Sequence, residues 1–188
     1  MRNSIWFTVA VVLLSGISDL QGQTTPFDSV TATRTQGAVC YHHALYIVVE
    51  RAQQEVGSDL FVRPASSGRC DANLLPGDFV WRNREAEYFL GLRGHVLFID
   101  SGTGPDLRGV IVIDLRSRRR LLETTYVGDI VAGPDSFTVG LWQGSELAKP
   151  APGCPRTQMI PGIDSLFWLD LRNGRLAFGK QTRCAERQ

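Results

Sequence analysis

Lysine is almost missing from this chain. Only Lys149 and Lys180 among its 20 basic residues are lysines, the rest being arginine. Against 19 acidic residues the formal net charge is +1. No excess of one sign exists of the kind a general nucleic-acid binder shows, so no nucleic-acid partner is expected. Close cysteine pairs are missing too. Cys40, Cys70, Cys154 and Cys184 include no Cys-x-x-Cys, which leaves no zinc-type spacing and no expected metal. Walker-type loops, calcium loops and a dinucleotide fingerprint between strand and helix are absent, so no cofactor is expected. No apolar run approaches the roughly 20 residues that span a bilayer, so the mature chain has no expected transmembrane segment.

What is present begins at the N-terminus. Arg2 precedes an apolar run from Ile5 to Leu14, followed by small and polar residues up to Gln21-Gly22-Gln23. This is the layout of a secretory signal peptide. Cleavage is expected after Gly22, with Ser18 as the alternative, giving a protein of the periplasm or cell exterior. Removing residues 1–22 takes away Arg2 and Asp19 together and leaves the charge unchanged. The remaining length suits one domain that buries roughly 70% of its unfolded surface. An even number of cysteines in such a chain reads as two disulfides with three connectivities open. Pairing of sequence neighbours, Cys40 with Cys70 and Cys154 with Cys184, is favoured. Each loop so closed is worth roughly 3–4 kcal/mol in the chain-entropy account.

Residues 23–38 are Thr-rich and weakly hydrophobic and read as a flexible leader with an edge strand at its end. Residues 39–188 read as one all-β domain. For residues 44–52 the β-branched and aromatic Tyr46-Ile47-Val48-Val49 outweighs a competing helical spacing. Short apolar runs follow at 60–63, 79–82, 88–92, 96–100, 110–115, 121–126, 137–142, 166–171 and 176–180, most of them separated by Gly, Pro, Asn or Asp. Such spacing predicts an antiparallel β-sandwich or flattened barrel of about nine to ten strands. Val110-Ile111-Val112-Ile113 is apolar on both alternating faces and predicts a central strand.

Ile113-Asp114-Leu115-Arg116-Ser117 is repeated as Leu169-Asp170-Leu171-Arg172-Asn173. Both segments read as strand, turn, strand, and Asn173-Gly174 as a two-residue hairpin turn with positive φ at both positions. The hairpins resemble those of β-propeller blades, and two copies alone read as local turn chemistry. Residues 144–162, with Pro150, Pro152, Pro155 and Pro161, show no strand pattern. A stretch of that length inside a compact domain is usually functional or disordered. A disulfide at Cys154 would pin its middle, with Met159-Ile160 as an apolar tip or a plug into the core.

Leu97-Phe98-Ile99-Asp100-Ser101-Gly102-Thr103-Gly104 resembles the active-site loop of aspartic proteases. The resemblance implies that Asp100 activates water and Ser101 orients its carboxylate. The chemistry needs two carboxylates sharing one proton, supplied by a homodimer or by the partial match Ile163-Asp164-Ser165. Read without the resemblance, residues 100–109 are a polar hairpin connection. His42 and His43 are strand neighbours and point to opposite faces, and a triad of Ser101 with His95 lacks the usual G-x-S-x-G elbow. Arg116, Arg118, Arg119 and Arg120 cluster at one hairpin tip, with Arg172 and Arg175 at the similar one. If the tips meet, they form a patch for an anionic partner. Trp81, Trp142 and Trp168 sit within apolar runs and read as core.

The function expected is therefore a non-catalytic, inhibitor-like binding module. Its partner would be a protein or a polyanionic or glycan ligand. The surface would combine Arg116, Arg118, Arg119 and Arg120 with Met159 and Ile160. An aspartic-protease-like hydrolase using Asp100 and Ser101 is the enzymatic alternative, and a structural envelope component the third. N-terminal sequencing of the protein exported by a secreting host should read from Gln23. Recovery of the chain with residues 1–22 attached would remove the premise of export.

Overall fold

The computed structural model describes residues 25–102, 104, 108–155 and 159–187. The expected signal peptide lies outside the described residues, as do residues 103 and 105–107 of the loop after Asp100. The described chain is all-β. Its thirteen strands form three antiparallel sheets in chain order. Sheet A holds β1 (Thr31–Thr35), β2 (Ala38–His42), β3 (Tyr46–Ala52), β4 (Ser58–Pro64) and β5 (Phe79–Trp81). Sheet B holds β6 (Glu87–Arg93), β7 (Val96–Ser101), β8 (Arg108–Asp114) and β9 (Arg119–Tyr126). Sheet C holds β10 (Val131–Ala132), β11 (Thr138–Glu146), β12 (Ile160–Asp170) and β13 (Arg175–Arg187). Within each sheet consecutive strands pair, so every sheet is a meander. The strand count exceeds the expected nine to ten by β1, whose residues are all exposed, by β2, which lies within and just after the stretch read as a leader, and by the two-residue β10. Among the described residues no helix is long and apolar enough to cross a membrane.

The layers follow from side-chain alternation. Leu97, Ile99, Ile111 and Ile113 of sheet B pack on Val48, Leu60 and Val62 of sheet A. Their alternate neighbours Val96, Phe98, Val110 and Val112 pack on Val139, Leu141 and Leu169 of sheet C. Sheet B is thus the middle layer, and β8 is the central strand its two-faced apolar run predicts. The outer face of sheet A carries a smaller cluster of Cys40, Ile47, Val49 and Phe61, against which Cys70, Ala72 and Val80 pack.

Both disulfides join sequence neighbours. Cys40 bonds Cys70 and Cys154 bonds Cys184. The first ties the 64–78 connection across the outer face of sheet A. Arg63 organises that connection from beneath. It is 1% exposed, pairs with Asp78 at 2.9 Å, and donates to the carbonyls of Asn73 at 3.0 Å and Arg69 at 3.4 Å. Asp78 in turn accepts the Leu75 amide at 2.9 Å.

Four expectations change on contact with tertiary structure. Residues 25–38 are less free than a flexible leader. Phe27 packs edge-on against Phe98 at 5.2 Å and fills the space a side chain at Gly91 would need. Asp28 bonds the carbonyl of Leu92 and the amide of Gly94. The Pro-rich stretch is narrower than residues 144–162, because β11 runs to Glu146 and β12 starts at Ile160. Backbone pairing extends these strands beyond their apolar runs. The turn at Asn173-Gly174 is a longer loop in which Gly174 has positive φ and Asn173 does not. Asp170 accepts the Gly174 amide at 2.8 Å. Finally, Trp142 and Trp168 point away from the core, since Val139, Leu141 and Leu169 take the inward positions of β11 and β12.

Replacing Asp78 with alanine would leave the Arg63 charge buried without its carboxylate. The expected cost is about 3–5 kcal/mol of unfolding free energy, read by urea denaturation. An unchanged midpoint would mean that the carbonyls alone satisfy Arg63.

Candidate functional site

The two similar hairpins occupy corresponding places. One joins β8 to β9 in sheet B and the other joins β12 to β13 in sheet C, each the third-to-fourth connection of its sheet. Each tip docks on an earlier turn of its own sheet in the same way. The Leu115 amide donates to the His95 carbonyl at 2.9 Å, and the Leu171 amide donates to the Phe137 carbonyl at 2.8 Å. The repeat is therefore architectural rather than local turn chemistry. It places both tips side by side at one end of the sheet B–sheet C seam.

A cleft of about 530 Å³ opens between them. Its walls include Phe27, Arg93, His95, Arg116, Phe137 and Arg172. The volume falls in the range of small-ligand sites. Aspartate is the residue that aims each arginine. Asp114 accepts the Arg116 amide at 3.1 Å and the Ser117 hydroxyl at 2.7 Å. Burial acts to raise its carboxyl, but the Ser117 hydroxyl, the Arg116 amide and the Arg116 charge hold it below the usual value. Asp170 accepts the Arg172 amide at 2.9 Å and both arms of the Arg172 guanidinium at 2.8 and 2.9 Å. That bidentate pair, first among its partners, pushes the Asp170 carboxyl down to about 2. Arg172 also stacks over Phe137 at 5.5 Å.

Arg93 closes the floor. It donates to the carbonyls of Pro26, Asp135 and Ser136 at 2.9–3.1 Å. Those acceptors are neutral, so its charge stays uncancelled. His95 is oriented by the Tyr46 hydroxyl, 2.9 Å from its Nδ1. Among the described lining residues Asp28 is the single carboxylate against three guanidinium groups.

Of the arginines singled out by the sequence, Arg116 and Arg172 meet in the cleft. Arg118 turns toward sheet A and donates to the Gly77 carbonyl at 3.0 Å. Arg119 starts β9 opposite Asp114, and Arg120 pairs with Glu123. Met159 and Ile160 are exposed at the start of β12, the far end of an 11-residue strand from Asp170, about 33 Å away. Arg93, Phe27 and Phe137 carry no motif, and only the fold brings them in.

Asp100 stands elsewhere, on the face of sheet B that meets sheet C. It is 2% exposed, pairs with Arg108 and accepts the Tyr126 hydroxyl at 2.8 Å. Among the described residues no second carboxylate bonds to it. Asp164 pairs with Arg183 and Arg187 on the outer face of sheet C, so the two aspartates do not share a site. Ser101 closes β7 opposite Gly109. His42 accepts or donates to the Thr33 hydroxyl at 2.8 Å. His43 lies on the opposite side, edge-on to Phe89 at 5.8 Å, where burial pushes its imidazole down. Among the described residues no three His, Cys, Asp or Glu side chains converge as metal ligands. No family model, curated protein or solved structure matches this chain.

The ordinary aspartate value is about 3.9, so a folded value near 2 means the Asp170–Arg172 pair is fully formed above about pH 4. The pair is lost as pH falls through 2. Carbon-detected NMR titration should place the Asp170 midpoint near 2 and move it up toward the ordinary value in Arg172→Ala. A midpoint near 3.9 in the native protein would contradict the clamp.

Proposed function

We propose that the protein is a non-catalytic binding module of the periplasm or cell exterior, and that the cleft between the two hairpin tips takes an anionic group of its partner. One observation carries this reading: two copies of an Asp-x-Arg tip converge on one cleft whose wall shows three guanidinium groups and one carboxylate, Asp28, while Asp114 and Asp170 pair with Arg116 and Arg172 outside that lining. Paired guanidinium groups suit carboxylate, phosphate or sulfate. Phe27 and Phe137 add apolar walls for the rest of the ligand. Because the tips are held by aspartates and backbone amides, the site is preorganised and loses little side-chain entropy on binding.

Arg118, Arg119 and Arg120 flank the same turn and would extend contact to a partner wider than the cleft. Met159 and Ile160 would meet only a partner long enough to follow β12 to its other end. Two disulfides suit an oxidising compartment. Binding is preferred over hydrolysis at Asp100 because that carboxylate already holds Arg108 and Tyr126. A protease-like dyad instead needs an aspartate free to share a proton with another.

The test is calorimetric titration with a glutamate-rich hexapeptide. Arg116→Ala and Arg172→Ala should each weaken binding by about fivefold to tenfold, the worth of a charge-assisted bond at a partly exposed site. The affinity should fall with added salt. Reversal of Arg118 to Arg120 with the cleft intact should cost less. If that reversal abolishes binding while the cleft variants do not change it, the cleft is not the site. An acid-optimal peptidase activity lost in Asp100→Asn would replace the reading altogether.

A further inference from the structure

The cleft leaves one constructed feature unused, the outer face of sheet C. By the alternation that turns Val139, Leu141 and Leu169 inward, this face carries Trp142, Leu166, Trp168 and Asp164, with Arg183 opposite Asp164 on β13. The outer face of sheet A is covered by a disulfide-tied connection; on this face Leu166 and Asp164 are buried, while Trp142 and Trp168 are half-buried above them.

The seat of Trp168 is specific. A side-chain carbon at Gly140 on β11 would fall 2.8 Å from its Cζ3, and one at Gly179 on β13 would fall 2.8 Å from its Nε1. The indole therefore spans from one flanking strand to the other, across positions where only glycine leaves room. Trp168 is half-buried in this seat, so part of it is left to solvent. Gly179 belongs to a bulge in the β12–β13 ladder, next to Lys180 at positive φ. Bulges of this kind commonly re-aim side chains near sites.

The polar groups stand farther along the same face, beside Trp142. Arg183 is 46% exposed, lies 4.4 Å above the Trp142 ring and is 2.9 Å from Asp164. Asp164 is 4% exposed and also pairs with Arg187. One carboxylate is thus divided between two guanidinium groups, leaving positive excess beside the Trp142 ring. A second copy seated here would bring a like group against it, which disfavours self-association.

We infer that this face binds an acidic saccharide, with a pyranose C–H face stacked on Trp168 and a carboxylate or sulfate held by Arg183. A sugar ring offers apolar C–H groups on its face and hydroxyls at its rim. That matches an aromatic plane bordered by charged hydrogen-bonding groups. The site is separate from the cleft, and neither depends on the other.

The test is titration of the exported protein with a galacturonic acid hexamer and a heparin hexasaccharide, followed by tryptophan fluorescence. Cellohexaose serves as the uncharged control. At least one acidic probe should perturb the fluorescence and bind, while cellohexaose binds at least tenfold more weakly. Trp168→Ala should weaken binding about tenfold, and Trp168→Phe, which keeps a ring and guards against misfolding, should restore most of it. Arg183→Gln should weaken binding and flatten its salt dependence. In an Arg116→Ala, Arg172→Ala background, which removes anion binding at the cleft, the Trp168-dependent binding should persist. The inference is overturned if neither acidic probe binds, or if cellohexaose binds equally well. It is also overturned if sedimentation shows a dimer that Trp168→Ala dissociates.

Discussion

Burial of sheet B on both faces is the constraint on which the rest depends. Its strands face sheet A through one set of side chains and sheet C through the alternate set. A one-residue slip of β8 would exchange those two sets. The faces differ in partners, so such a slip would cost packing on both sides at once. Fixing β8 fixes β9, and with it the hairpin tip that carries Asp114 and Arg116. The same reasoning applied to β12 places Asp170 and Arg172. The cleft is thus a by-product of stacking, since two hairpins of like geometry on adjacent layers must end side by side.

Arginine is the cation of this fold, and the structure shows what its planar fork contributes. Arg63 gathers a carboxylate and two carbonyls beneath the connection over sheet A. Arg93 gathers three carbonyls from the N-terminal segment and the β10–β11 connection. Arg51 and Arg82 share Asp59 and both lie over Phe61. A lysine ammonium could make some of these bonds but could not lie flat on a ring or span several acceptors in one plane. The aspartates respond accordingly. Asp59 is held below its usual value despite the burial that opposes ionisation, because the Asn83 amide and two guanidinium groups outweigh it.

The sheets are also joined by polar groups that the strand ladders leave over. The bulge between Phe89 and Gly91 frees the Phe89 amide, which Glu50 of β3 accepts at 3.1 Å. Glu50 also accepts the Tyr41 hydroxyl at 2.8 Å, and burial together with that carboxylate pushes the phenol up to about 12. Buried polar groups of this kind select one stacking over its neighbours, because any other arrangement leaves them unpaired.

Most strands, the central place of β8 and both disulfide pairings could be read from residues alone. Those features are set by local alternation, turn residues and cysteine spacing, and the last is limited to three choices. The Asp-x-Arg repeat was visible as well, but its meaning was not, since two turns alike in sequence become one site only when their layers stack in register. Asp100 shows the reverse case. Its motif is local, yet Arg108 and Tyr126, which decide its chemistry, come from neighbouring strands. Trp142 and Trp168 read as core because apolar runs do not reveal which alternate residues face inward. Local sequence determined strands, turns and the covalent frame. Tertiary structure alone decided which faces are covered and which side chains meet, because those depend on how one sheet rests on the next.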